Sequence, residues 1–159
     1  MRKNTGNAFA LTIVRFLVLS IAFSVVSGQT KVAQTTFTKA DFKKLRWLEG
    51  TWRGTGGGVE PFFERYRFID DSTIEIDFLT DASLSTSSKK KKIVLVDGRI
   101  LYGDSTIASR LDSTSIDFDS KNTPFSWLKK SKYLWLAKLY QSTAEGKKLV
   151  RTYTLERVK

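Results

Sequence analysis

Alternation of apolar and polar side chains after Thr51 limits this chain to β-sheet folds more strongly than any other feature. The segment Thr73–Thr80 (TIEIDFLT) alternates most regularly. Successive side chains of a strand point to opposite sides of a sheet, so a period of two predicts a strand with one apolar face. Turn residues bound the segments, and Asp97-Gly98 is typical of a two-residue hairpin turn. No long helical pattern separates the segments, so parallel βαβ units are not expected.

The pattern predicts about eight or nine short strands joined as sequential hairpins. Such a sheet keeps two exposed edges unless it closes on itself. The predicted fold is therefore an all-β, antiparallel up-and-down barrel, with a two-sheet sandwich as the alternative. The connection 120–131, which contains Pro124, is predicted as a long loop. The predicted strands are 51–55, 62–69, 73–80, 92–96, 99–102, 106–111, 115–119, 133–141 and 148–158.

A short helix is predicted before the first strand. Phe42, Leu45 and Leu48 recur at helical spacing within residues 41–48. Thr38 is placed to accept hydrogen bonds from the first turn, and Gly50 is placed to end the helix. The barrel domain is predicted to span residues 39–159.

Residues 1–28 have the pattern of a secretory signal peptide. Arg2, Lys3 and Arg15 precede an uncharged apolar run, Phe16–Val26, and small residues follow it. The run is shorter than the roughly 20 residues that a membrane span needs, although a retained anchor is the alternative. We expect cleavage before Gln29, a flexible leader over residues 29–38, and an exported protein, periplasmic or secreted.

The composition excludes several kinds of site. The 159 residues include no Cys and no His. Disulfides, thiolate or histidine catalysis, and Cys or His metal sites are therefore impossible. We predict no cofactor, no metal site and no catalytic residue, and we found no catalytic motif.

The chain carries a formal net charge of +11. A basic excess often indicates nucleic-acid binding, but an exported protein seldom meets nucleic acid, so no nucleic-acid partner is predicted. Four consecutive lysines, Lys89, Lys90, Lys91 and Lys92, are interpreted as a solvated loop entering a strand. A weak contact of these lysines with an anionic surface is the alternative. The pattern does not indicate an oligomeric state.

The entry into the first strand, from Trp47 to Gly54 (WLEGTWRG), consists of a helix end, a glycine and a tryptophan. It resembles the opening of lipocalin-like barrels of the calycin group. In that group a Gly-x-Trp element plugs the closed end of the barrel, and a basic residue of the last strand covers the Trp. The resemblance implies that Arg157 lies over Trp52. Nitrobindin-type members bind haem through a histidine, which this chain lacks.

The resemblance and the pattern together favour a non-catalytic protein that binds a small apolar or amphipathic molecule inside the barrel. Phe62, Glu64, Tyr66 and Phe68 share the more apolar face of one predicted strand. The predicted ligand-binding residues are Phe62, Glu64, Tyr66, Phe68, Tyr133 and Trp135.

Two other functions remain open at this stage. A barrel enzyme would use Glu64 with Tyr66 or an Arg as an acid/base pair. An interaction protein would use its basic exterior instead of a cavity. Glu75 and Asp77 alternate with apolar residues and are expected on the solvent face. The apolar segment 123–128 is expected either to cover the barrel mouth or to pack inward.

Overall fold

The structure, a computed structural model, describes residues 35–80 and 83–159. The predicted signal peptide, the cleavage site before Gln29 and most of the predicted leader lie outside the described residues. Within them, no helix has the length and apolar character needed to cross a bilayer.

The described residues form a closed antiparallel barrel in which each strand pairs with its sequence neighbours and the first pairs with the last. The predicted class, an all-β antiparallel barrel with a short N-terminal helix, is confirmed. The strands are β1 Gly50–Gly56, β2 Phe62–Phe68, β3 Thr73–Leu79, β4 Ser87–Val96, β5 Arg99–Tyr102, β6 Thr106–Leu111, β7 Ser115–Asp119, β8 Phe125–Lys129, β9 Leu134–Thr143 and β10 Gly146–Arg157.

The barrel has ten strands in its described part, not eight or nine, because the connection predicted over residues 120–131 contains β8. Phe125 and Trp127 belong to this strand and contact the aromatic rings of the interior, so the segment packs inward. Pro124 lies just before the strand, where its missing N–H removes no hydrogen bond from the ladder.

The prediction of a loop over the four lysines is also wrong, because β4 begins at Ser87. The pairing of β4 with β3 explains why lysines extend the strand. Lys90 lies opposite Asp77 and Lys92 lies opposite Glu75. Opposite charges on facing strands stabilise the pairing.

Asp77 lies on the outer face, as the alternation predicted, but it is only 3% exposed. Arg67 and Lys90 cover it, with Nη2 to Oδ2 and Nζ to Oδ1 distances of 3.0 and 3.4 Å. The same two cations pair with Glu75. The expectation that Asp77 is solvated is therefore wrong, because long cationic side chains from two neighbouring strands shield it.

The N-terminal helix is Lys39–Lys43, followed directly by a 3₁₀ helix over Lys44–Leu48. The Thr38 hydroxyl accepts a hydrogen bond from the Asp41 amide, and Asp41 in turn accepts from the Thr38 amide. This capping box fixes the start of the helix. Three apolar side chains of this segment, spaced three residues apart, are fully buried: Phe42, Leu45 and Leu48. This spacing suits the three residues per turn of a 3₁₀ helix.

The helices cover one end of the barrel, which we call the closed end. The Trp52 indole donates a 2.7 Å hydrogen bond to the Leu48 carbonyl, tying β1 to the 3₁₀ helix. Phe37, within the predicted leader, is buried, and its amide donates to the Gly98 carbonyl at 2.7 Å. The packed part of the chain therefore includes residues before the predicted domain start at 39.

Arg157 also lies at the closed end, directly opposite Trp52 in the β1–β10 ladder. Its guanidinium carbon is 4.4 Å from the centroid of the Trp52 ring. Gly50 leaves the space that the guanidinium occupies, because a Cβ at this residue would collide with Arg157. Gly50 has φ of +126°, a conformation that other residues rarely adopt.

Candidate functional site

A cavity of about 640 Å³ lies inside the barrel. Val59 in the β1–β2 connection, and Ser120 and Thr123 in the β7–β8 connection, contribute to its walls. These connections lie at the end of the barrel away from Trp52, because β1 runs outward from the closed end. We call this end the open end.

Aromatic side chains form the interior wall of the cavity. Trp127 is at the centre, with ring centroids 5.5 Å from Tyr102, 5.8 Å from Tyr66 and 5.4 Å from Trp135. Phe125 also contacts Trp127, at 5.9 Å. Tyr66 and Tyr102 meet Trp127 edge-to-face, and Trp135 and Phe125 meet it at tilted angles, so the wall is a contiguous, largely apolar cluster of rings.

Glu64 is the carboxyl group of the cavity wall. The Tyr66 hydroxyl donates a 2.6 Å hydrogen bond to its Oε2. Desolvation raises the pKa of the Glu64 carboxyl, while the hydrogen bond from Tyr66 and the charge of Lys91 oppose this shift. Burial and the neighbouring carboxylate raise the pKa of the Tyr66 phenol well above its ordinary value. Tyr66 therefore stays protonated at neutral pH and acts as a hydrogen-bond donor.

Lys91 supplies a cation to the same cavity. Its ammonium lies 4.5 Å from the centroid of the Tyr102 ring. A cation over an aromatic face is stabilised by the ring quadrupole. Burial together with the Glu64 charge raises the pKa of the Tyr102 phenol, so this ring is neutral beside Lys91. The polar part of the cavity thus combines one carboxyl group with one ammonium group.

The structure brings together four of the six predicted ligand-binding residues. Phe62, Glu64, Tyr66 and Trp135 all line the cavity. The first three alternate along β2, so the prediction of their shared inward face agrees with their placement.

Phe68 and Tyr133 lie away from the cavity, at the closed end. Phe68 is the last residue of β2 and packs its ring 6.0 Å from that of Phe42. Tyr133 precedes β9, is 57% exposed, and has the Lys132 ammonium 4.7 Å from its ring centroid. Period-two spacing placed both on the ligand-facing side, but Phe68 ends β2 at the closed end and Tyr133 lies before β9 begins.

The hypothesis of a barrel enzyme required Tyr66 or an Arg as the acid/base partner of Glu64. Of these, Tyr66 contacts the Glu64 carboxyl, through the 2.6 Å hydrogen bond. Among the described residues no Arg forms an ion pair with Glu64. Arg151, an exposed arginine of β10, donates to the Tyr153 hydroxyl at 3.3 Å. In the described part of the chain, no group of three or more acidic side chains is arranged to hold a metal ion.

Thirteen cavity residues were absent from the predicted ligand-binding set, and three of them shape its charged part and its aromatic wall: Lys91, Tyr102 and Trp127. A signal for two of them exists in the sequence. Lys91 is two residues before Ile93, and Tyr102 is two residues after Ile100, and both isoleucines are fully buried. Extending the period of two by one step would have placed both side chains inward.

No protein-family model matches this chain, and no curated protein matches it. One similar solved structure is described as "Structure of a redesigned beta barrel, b11L5F_LGL"; it is 18% identical, with a TM-score of 0.34, over 73% of this chain and 96% of that one. A second, "Structure of EF1p2_mFAP2b bound to DFHBI", is 13% identical, with a TM-score of 0.36, over 74% of this chain and 98% of that one. Likeness at this level carries no argument about function, and the lipocalin-like resemblance stays a hypothesis.

Proposed function

We propose that this protein is an exported, non-catalytic barrel that binds one small amphipathic molecule in its interior. The observation that carries the proposal is the aromatic-walled cavity of about 640 Å³, which contains Glu64 and Lys91 as its charged groups. Ligand sites commonly have volumes of roughly 300–1,000 Å³ and combine apolar walls with a few polar groups. Export rests on the sequence of residues 1–28 alone.

The division of the cavity wall suggests how such a ligand is held. The apolar part of the ligand would lie against Trp127, Trp135 and Phe62, where contact with the rings removes it from water. Its polar part would lie at Glu64 or Lys91, because these groups can exchange water for ligand hydrogen bonds. The ligand would then bind in one orientation, because its apolar and polar parts are held by two different regions of the cavity.

Titration with N-phenyl-1-naphthylamine, an uncharged aromatic probe that fluoresces in apolar surroundings, tests the proposal. We expect saturable binding of about one probe per chain. Leu139→Trp should abolish it, because Leu139 lines the cavity and the larger ring would fill it. Lys138→Trp is the matched control, since the neighbouring side chain points to the opposite face of β9. Absence of binding to the unmodified protein, or equal loss in both variants, contradicts the proposal.

The natural ligand can be sought directly. Native mass spectrometry of protein purified from its own organism should show a retained small molecule in the unmodified chain and none in Leu139→Trp. Identification of that molecule would also give the substrate for the next test.

A second candidate function is catalysis in the same cavity. The observation that favours it is the Glu64 carboxyl, whose pKa is raised by desolvation and which faces the space where a ligand would lie. A carboxyl of this kind can act as a general base nearer to neutral pH. Incubation of the retained molecule with the unmodified protein and with Glu64→Gln distinguishes the two functions. Products formed only by the unmodified protein would favour catalysis, and an unchanged molecule would favour binding.

A further inference from the structure

We propose that the ligand carries an acidic group and that this group binds at Lys91, which lies between the cavity and a basic groove at a gap in the barrel wall. This inference deepens the proposed function and rests on it. The shared chemistry of the acidic group is that of a carboxylate, sulfonate or phosphate attached to an apolar body.

The gap results from unequal strand lengths. β4 has ten residues and β5 has four, and β5 pairs only with Ile93–Val96 of β4. The last backbone hydrogen bond on that side runs from the Gly103 amide to the Lys92 carbonyl, at 2.8 Å. The β5 side of Ser87–Lys91 therefore faces no strand within the described residues, and the wall is open there.

A groove of about 530 Å³ occupies this opening. All four lysines, Lys89–Lys92, line it on one side, and the β5–β6 turn lines it on the other. Asp104 is the carboxylate on the turn side. Because Lys90 is already paired with Glu75 and Asp77, three cations remain against this one carboxylate, and the groove attracts anions.

Lys91, Tyr102 and Thr106 line both the outer groove and the inner cavity. These three residues therefore form the partition between the two spaces. A molecule whose apolar body is inside the cavity can place a charged end at this partition and keep it in contact with water. The Thr106 and Tyr102 hydroxyls and the Lys91 ammonium are hydrogen-bond donors at this partition.

The pairing of the lysines singles out Lys91. Lys90 points outward and pairs with Glu75 and Asp77. Lys91 points inward, is half-buried, and forms no ion pair with a carboxylate among residues 35–80 and 83–159. Glu64 acts on it only over a longer distance. A partly desolvated ammonium that no carboxylate contacts directly gains most from an anion that enters the site, because part of its hydration is already lost.

Two probes that differ mainly in one charged group test the inference. The first is 8-anilino-1-naphthalenesulfonate, and the second is uncharged N-phenyl-1-naphthylamine. In Lys91→Met we expect the dissociation constant of the sulfonate to rise about tenfold or more, which is typical for loss of a charge-assisted hydrogen bond. The dissociation constant of the uncharged probe should change by less than about twofold.

Two further variants control for folding and for general charge. Lys91→Arg keeps the cation and should retain sulfonate binding to within about threefold. Lys138→Met removes a lysine from β9, away from the groove, and should leave both probes unaffected. Equal weakening of both probes in Lys91→Met, or equal loss of the sulfonate in Lys138→Met, overturns the inference.

Failure of the inference is separable from failure of the proposed function. If the unmodified protein binds the uncharged probe but not the sulfonate, the inference is wrong and the cavity function stands. If it binds neither probe, the proposed function fails and the inference fails with it. Displacement of the sulfonate by dodecanoate, dodecyl phosphate and dodecanol then identifies the preferred group. The two acids should displace it at lower concentration than the alcohol, and an equally effective alcohol would contradict the inference.

Discussion

Substitution of Arg157 by Ala should destabilise the barrel at its closed end. The Arg157 guanidinium lies 4.4 Å from the centre of the Trp52 ring, and its Nε donates a 3.1 Å hydrogen bond to the Lys132 carbonyl. Trp52 is only 1% exposed. Removing the Arg157 side chain therefore exposes the Trp52 indole and breaks the hydrogen bond from β10 to the β8–β9 connection. It also leaves an empty space beside Gly50.

The magnitude follows from these losses. A cation over an indole contributes about 0.5–2 kcal/mol. A hydrogen bond near the surface contributes about 0.5–1.5 kcal/mol. The apolar stem of the arginine also covers the ring, so its loss exposes aromatic surface. Because these terms share the same side chain and are not independent, we expect a loss of about 1–3 kcal/mol in the free energy of unfolding.

Urea denaturation followed by far-ultraviolet circular dichroism measures this loss. Arg151→Ala is the matched control, because it removes an arginine from the same strand at the open end. It should cost less than about 1 kcal/mol of the free energy of unfolding, because Arg151 is exposed and loses only its hydrogen bond to the Tyr153 hydroxyl. A double-mutant cycle with Trp52→Phe isolates the contact. We expect a coupling of about 0.5–2 kcal/mol between Arg157 and Trp52.

The reasoning would be refuted by either of two results. One is a destabilisation by Arg157→Ala no larger than that of Arg151→Ala. The other is a coupling with Trp52 indistinguishable from zero, which would mean that Arg157 acts through Lys132 alone.

Three other predictions concern carboxyl groups. The pKa of Glu64 is raised in the folded state. Below its unfolded pKa, near 4.5, the buried carboxyl is protonated and neutral, so its burial costs little free energy. The free energy of unfolding should fall as the pH rises through the higher folded pKa, because the buried group then becomes charged. Glu64→Gln should flatten this fall in a series of urea denaturations at pH values above 4.5, and an unchanged slope would contradict the assignment. The pKa of Asp112 is lowered by hydrogen bonds from Thr114 and Ser115, so its contribution should be lost as the pH falls below about 4. Asp112→Ala should cost about 1–2 kcal/mol at pH 7 by the same measurement, and a neutral effect would show that the β6–β7 turn does not need it. Arg67→Met should cost about 1–3 kcal/mol because Asp77 loses a covering cation. Asp77→Asn in the same chain should recover part of that loss, and absence of recovery would contradict it.

The sequence was sufficient for the fold class because the period of two is a local property of each strand. Residues 73–80 alternate so regularly that β3 could be assigned without any neighbour, and hairpins such as Asp97-Gly98 then order the strands. The face shared by Phe62, Glu64 and Tyr66 follows from the same period. For this reason four of the six predicted ligand-facing residues lie together in the cavity.

The errors arose where a neighbouring strand overrides local preference. The lysine run has little tendency to form a strand alone, but β3 presents Glu75 and Asp77 opposite Lys92 and Lys90, and the pairing extends β4 to Ser87. The strand β8 directly follows Pro124, and its adjacent apolar residues Trp127 and Leu128 interrupt the alternation, yet it is held between β7 and β9.

Only the tertiary structure decided which groups meet. Glu64 and Lys91 are on strands separated by β3, and their relation depends on the register of two ladders and on the curvature of the barrel. The gap beside Lys91 depends on where β5 stops pairing. An alternating pattern determines which side of its own strand a residue occupies. It carries no information on the distance between residues of different strands, because that distance is set by closure of the whole barrel.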